Sequence, residues 1–162
     1  MNDEKTIRLD RMRYTKNSLA SGLALLAILF NVFFFINIYE SNVGSWYYNI
    51  LIGASILYNL IFMLAAFLSS EGIKNYKIGY AYVMIVLGII QIVRIFIIPG
   101  RAHAETVTIQ EQAVIVMETK QFITCVIWLV ASAVCLIGGA VVGMARSRQL
   151  QALLASLEAK NA

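Results

Sequence analysis

The chain has 162 residues, of which 60% are apolar and only 14% are charged, and it carries a formal net charge of +4. An ordinary soluble domain is about 45–50% apolar and about 25% charged. These proportions exclude a disordered chain, a disulfide scaffold and a typical soluble enzyme, and they point to a small polytopic membrane protein.

Segment 1–17 is basic, with Lys5, Arg8, Arg11, Arg13 and Lys16. Four apolar blocks follow, at 18–38, 48–68, 78–98 and 122–145. About 20 residues at 1.5 Å rise cross a hydrocarbon core of roughly 30 Å. Barrel strands would alternate polar with apolar residues. Leu23 to Phe30 and Met84 to Ile90 show no such alternation. The blocks therefore predict an all-α fold: four transmembrane helices in an antiparallel bundle, since short connections make neighbours antiparallel.

The first block is longer than the 7–15 apolar residues of a signal peptide, and Asn37-Ile38-Tyr39-Glu40 is a poor cleavage site, so it reads as a retained helix. Lys and Arg number ten on the side of segment 1–17, the 69–77 loop and the 146–162 tail. The opposite side has Arg101 and Lys120. The positive-inside tendency puts both termini in the cytoplasm. The expected compartment is a bacterial-type plasma membrane. Asp3, Glu4 and Asp10 argue against a mitochondrial leader, and Lys160-Asn161-Ala162 carries no retrieval signal. The positive charge is explained by topology and attraction to anionic lipid headgroups. No nucleic acid is implied.

Aromatic residues gather at the expected boundaries: Tyr39, Trp46, Tyr47 and Tyr48 at the first outer loop, and Tyr76, Tyr80 and Tyr82 at the inner end of the third span. Such rings favour the headgroup layer. The outer segment 99–121 is long for a connection. Thr106-Val107-Thr108-Ile109-Gln110 alternates like a strand, whereas Ala113 to Met117 is a continuous apolar run able to extend the fourth helix. Periodicity leaves strand, helix and loop open here.

Chemistry-bearing groups are sparse. No Asp or Glu falls inside a span, and the single His, His103, lies in the outer segment. An ion-coupled transporter of this size keeps a carboxylate within the membrane. Cys125 and Cys135 are ten residues apart on one helix, about 15 Å of rise, too far for a disulfide. The residues thus suggest no catalytic site, metal site or cofactor.

Four features are candidate interaction sites. Arg94 lies roughly 9 Å from the midplane of its span. It can snorkel to the interface, or pair with Glu40, Glu105, Glu111 or Glu118. Asn31, Asn59 and Gln91 lie within roughly 5 Å of their span centres on three helices. They form a polar layer that serves as helix glue or lines a path. Gln91 and Arg94, three apart, share a face. Ala131, Cys135, Gly139 and Gly143 recur every four residues, a stripe of small residues that allows close helix approach. In the tail, Leu150, Leu153, Leu154 and Leu157 form one apolar stripe of a short amphipathic helix. That stripe needs a surface to cover it: the membrane, segment 1–17 or a partner.

Together these features predict a non-catalytic membrane subunit assisting a larger complex, foremost a multisubunit transporter. The alternative is a self-assembling homo-oligomeric transporter or channel with the amides lining its path. Beyond membrane lipids, the expected partner is a larger membrane complex or further copies of the chain.

Overall fold

The computed structural model describes residues 2–38, 45–104, 106–109, 112–115 and 117–161. Six helices and one hairpin follow in order: α1 (Asn2–Thr15), α2 (Ser18–Ile38), α3 (Ser45–Lys74), α4 (Gly79–Ile97), α5 (Pro99–Ala104), β1 (Thr106–Ile109), β2 (Gln112–Ile115) and α6 (Thr119–Asn161). Four helical stretches are long and apolar enough to cross a membrane. They run Glu4–Ile38, Gly53–Lys74, Gly79–Ala104 and Thr119–Ala159, and α3 begins three residues earlier and ends six later than 48–68.

The segment before α2 is itself helical. Lys16 stops it by taking a left-handed backbone, φ 48°. Its N–H closes on Met12 O at 3.0 Å, satisfying a carbonyl that helix geometry leaves open. α3 ends in a Schellman turn. Lys77 N–H reaches Gly72 O at 3.2 Å and Tyr76 N–H reaches Ile73 O at 3.0 Å, with Tyr76 at φ 61° where glycine is usual. At the other end, α4 stops one residue before Pro99, which opens α5.

Among the described residues, segment 99–121 holds three elements before α6. α5 comes first. The alternating stretch then becomes β1, and part of the apolar run after it pairs back as β2, with Thr106 opposite Ile115 and Ile109 opposite Gln112. The fold is thus helical apart from this hairpin. α6 starts only at Thr119 and continues unbroken through Asn161, so the 146–162 tail is an extension of the fourth span and not a separate helix. Nothing in 145–149 punctuates it: Ala, Arg, Ser, Arg and Gln include neither Gly nor Pro.

Alanines and other small side chains pack inside between larger ones such as Phe62, Met84 and Leu136, and many large apolar side chains face out. Ala20, Ala24 and Ala27 of α2 are fully buried with Met84, Leu136 and Ala140. A second cluster joins Phe34, Ala102, Met117, Cys125 and Leu129 nearer the hairpin. Outside, Leu64 is 61% exposed, Val134 64% and Phe96 72%. In water such a surface would be an aggregation hazard. In lipid it costs nothing, because acyl chains are as apolar as the side chains.

Candidate functional site

α2, α3, α4 and α6 each contribute to one buried polar cluster. Asn31 lies on α2, Ser55 and Asn59 on α3, Gln91 and Arg94 on α4, and Ser132 on α6. All six are buried, and Arg94 retains only 4% exposure.

Asn31 Nδ2 donates to Asn59 Oδ1 at 3.0 Å, and Asn59 Nδ2 donates back along its own helix to Ser55 O at 2.8 Å. Gln91 Nε2 donates to Asn31 Oδ1 at 2.9 Å and to Ser132 Oγ at 3.3 Å. The Ser132 hydroxyl passes its own proton to Ala27 O at 2.9 Å. Arg94 is the centre. One guanidinium nitrogen donates to Asn59 Oδ1 at 2.9 Å and Asn31 Oδ1 at 3.2 Å, and the other to Ser55 Oγ at 3.0 Å. The rings of Phe34 and Tyr58 each lie 4.5 Å from its Cζ.

An arginine on a lone helix at membrane depth costs about 2.5–3.5 kcal/mol even when it can snorkel. Here the guanidinium turns inward instead. The oxygen ends of two amide dipoles, one hydroxyl and two π faces surround the charge. A ring face contributes about 2 kcal/mol to a desolvated cation, and interhelical hydrogen bonds average about 0.6 kcal/mol. Of the carboxylates considered for Arg94, Glu40, Glu105 and Glu111 lie outside the described residues. Glu118 is exposed.

The polar layer is therefore one network, and Gln91 and Arg94 enter it from the same face of α4. Gln91 Oε1 is buried and accepts no hydrogen bond among the described residues. Ser55, Ser132, Phe34 and Tyr58 escaped the sequence reading. A serine four residues before Asn59 was the one available signal, and a serine in an apolar helix is too common to single out.

The stripe of small residues is used within the chain. A Cβ on Gly139 would come within 2.8 Å of Met84 Cε and 3.1 Å of Ala20 O, and one on Gly143 would strike Ile73. Cys135 packs half-buried against the main core, and Ala131 is half-buried. Leu150, Leu153, Leu154 and Leu157 are also half-buried, and α6 contacts α1, whose Leu9 is 7% exposed. α1 lies against this part of α6 at Leu153.

Both ends of the bundle are tied by polar contacts. At one, Ser21 and Ser70 hydroxyls meet at 2.7 Å, Asn17 N–H reaches Lys74 O at 3.1 Å, and Tyr76 OH donates to Met12 O at 2.9 Å. At the other, Gln121 Nε2 donates to Asn37 O at 2.7 Å. His103 Nδ1–H donates to Met117 O at 3.2 Å while its ring stacks on Phe122. Tyr39 lies outside the described residues, as do the side chains of Trp46, Tyr47 and Tyr48. Tyr82 is exposed, and Tyr80 packs over Gly72.

Among the described residues, no three His, Cys, Asp or Glu side chains come together as a metal-binding group. Comparison with protein-family models, curated proteins and solved structures returned no match.

Proposed function

We propose that this chain is a non-catalytic integral membrane subunit that packs against a larger membrane complex, foremost a multisubunit transporter, and supports its assembly. Its four spans form an antiparallel bundle in the plasma membrane, with both termini cytoplasmic. The pairing of low with high residue numbers supports the bundle: Ser21 meets Ser70 and Ala27 meets Ser132. The division of Lys and Arg, ten against two, supports the orientation. The leucine stripe of 146–162 supports an amphipathic tail.

One observation carries the choice of function. Asn31 bonds to both Asn59 and Gln91, and Arg94 donates to both asparagines, inside a single copy and buried from solvent. Amides joined in this way act as glue between helices. A self-assembling channel needs such groups along a wetted path, so the network favours the subunit over the channel. The surfaces left for a partner are the apolar span faces, where Leu57 and Phe96 are exposed, and the segment around the hairpin.

Gentle detergent extraction followed by native mass measurement tests this function. The expected species contains this chain with a different, larger polypeptide. A pure homo-oligomer that moves solute in proteoliposomes would contradict it.

A further inference from the structure

A groove of about 330 Å³ opens between α1 and the distal part of α6. Lys5, Arg8 and Met12 line it from α1, at i, i+3 and i+7 along one helix face. Gln149, Ala152 and Leu153 line it from α6, and Ser156 closes one end with its hydroxyl turned onto Leu153 O at 2.8 Å. The lining therefore joins two cations and an amide N–H to an apolar floor, and no carboxylate is part of it.

We infer that this groove holds the phosphate-bearing headgroup of an anionic phospholipid. The inference rests on the membrane-spanning reading, but not on the subunit role.

Position, charge and size support it. Gln149 stands about 6 Å along the helix beyond residue 145, where the fourth apolar block ends. The headgroup layer is roughly 5–8 Å thick on each side of a bilayer. The near end of the groove thus sits at headgroup depth. Lys5 and Arg8 complement a phosphate, with the Arg fork suited to two of its oxygens. Met12, Ala152 and Leu153 offer an apolar floor to the glycerol and the first acyl carbons. The groove's 330 Å³ admits a phosphate and its glycerol.

The test is native mass spectrometry of the full chain, exchanged in detergent against equal phosphatidylglycerol and phosphatidylcholine. The unmodified protein should retain one phosphatidylglycerol in preference to phosphatidylcholine. The Lys5→Gln/Arg8→Gln double variant should lose that retention roughly thirty-fold, at about fivefold per cation near a membrane surface. Both side chains are exposed, so the fold does not depend on them. The charge-preserving Lys5→Arg/Arg8→Lys pair should restore binding, and Lys77→Gln, outside the groove, should leave it unchanged. Equal retention of the two lipids, or full retention by the double variant, would overturn the site. So would displacement of the lipid by an acidic peptide or by millimolar inorganic phosphate, since each would identify a different occupant.

Discussion

Adjacent glycines on α6 have opposite surroundings. A Cβ on Gly139 would crowd Met84 and the backbone of Ala20, whereas Gly138 has nothing within 4 Å. Overpacking a closed interior costs about 1–3 kcal/mol. Gly139→Leu should therefore lower the thermal midpoint in detergent by several degrees, and Gly138→Leu should leave it unchanged or raise it, since Gly is a poor helix former. Arg94 gives a second contrast. Arg94→Leu removes these three hydrogen bonds at about 0.6 kcal/mol each and two ring contacts to a desolvated cation at about 2 kcal/mol each. It also relieves about 2.5–3.5 kcal/mol of charge burial. The loss exceeds the relief by about 2–3 kcal/mol, while Asn31 Oδ1 keeps a donor from Gln91 and Asn59 Oδ1 keeps one from Asn31. Arg94→Glu instead sets a carboxylate against two amide oxygens. It should destabilise by about 2–4 kcal/mol more than the leucine variant, read as the shift in thermal midpoint, and equal midpoints would contradict the network. The candidate residues were legible because an amide or a cation in an apolar span stands out. Their partners were not, because which faces of four helices meet is decided by packing, and one span's sequence does not encode the register of the next.

At the scale of elements, α1 packs at the end of the helices where α2 begins and α3 closes. One of its links there is the hydroxyl of Tyr76, which donates to Met12 O. Burial raises the Tyr76 pKa above its ordinary value of 10.0, and the nearby Arg146 guanidinium offsets part of that rise. A raised pKa means that the folded state favours the neutral phenol. The stability it contributes is complete below about pH 10 and declines as pH rises through the raised value. A phenolate cannot donate to Met12 O, so α1 should undock in the same range. Amide hydrogen exchange along α1 should accelerate above pH 10 beyond the intrinsic rate, and Tyr76→Phe should remove that pH dependence while leaving α1 looser throughout. A pH-independent protection of α1 in the unmodified protein would contradict the tether. The helix itself was hidden in the sequence because 1–17 has no apolar stripe of its own; among the described side chains of α1, Leu9 alone is buried. The tail was legible as a helix, but not as a continuation of the fourth span. Hydropathy changes at Arg146 while the backbone does not.

The whole molecule is organised by its solvent. Large apolar side chains on the outside and alanine, glycine, amides and an arginine on the inside invert the pattern of a water-soluble bundle. Span number and approximate limits follow from composition alone, since about 20 apolar residues admit few other structures. The hairpin between α5 and α6 was half legible: β1 alternates as a strand should, but β2 is a short apolar run that reads equally as helix. The central claim is that the polar layer lies sealed inside one copy of the bundle. Cysteine accessibility at Ser132 tests it most directly. Ser132 is fully buried in that layer, and Ser132→Cys is a small change. On a background with Cys125→Ala and Cys135→Ala, the reconstituted variant is exposed to a water-soluble thiol reagent from each side of the membrane. The sealed bundle predicts no modification from either side, while rapid labelling would reveal a wetted path through the layer and contradict the claim.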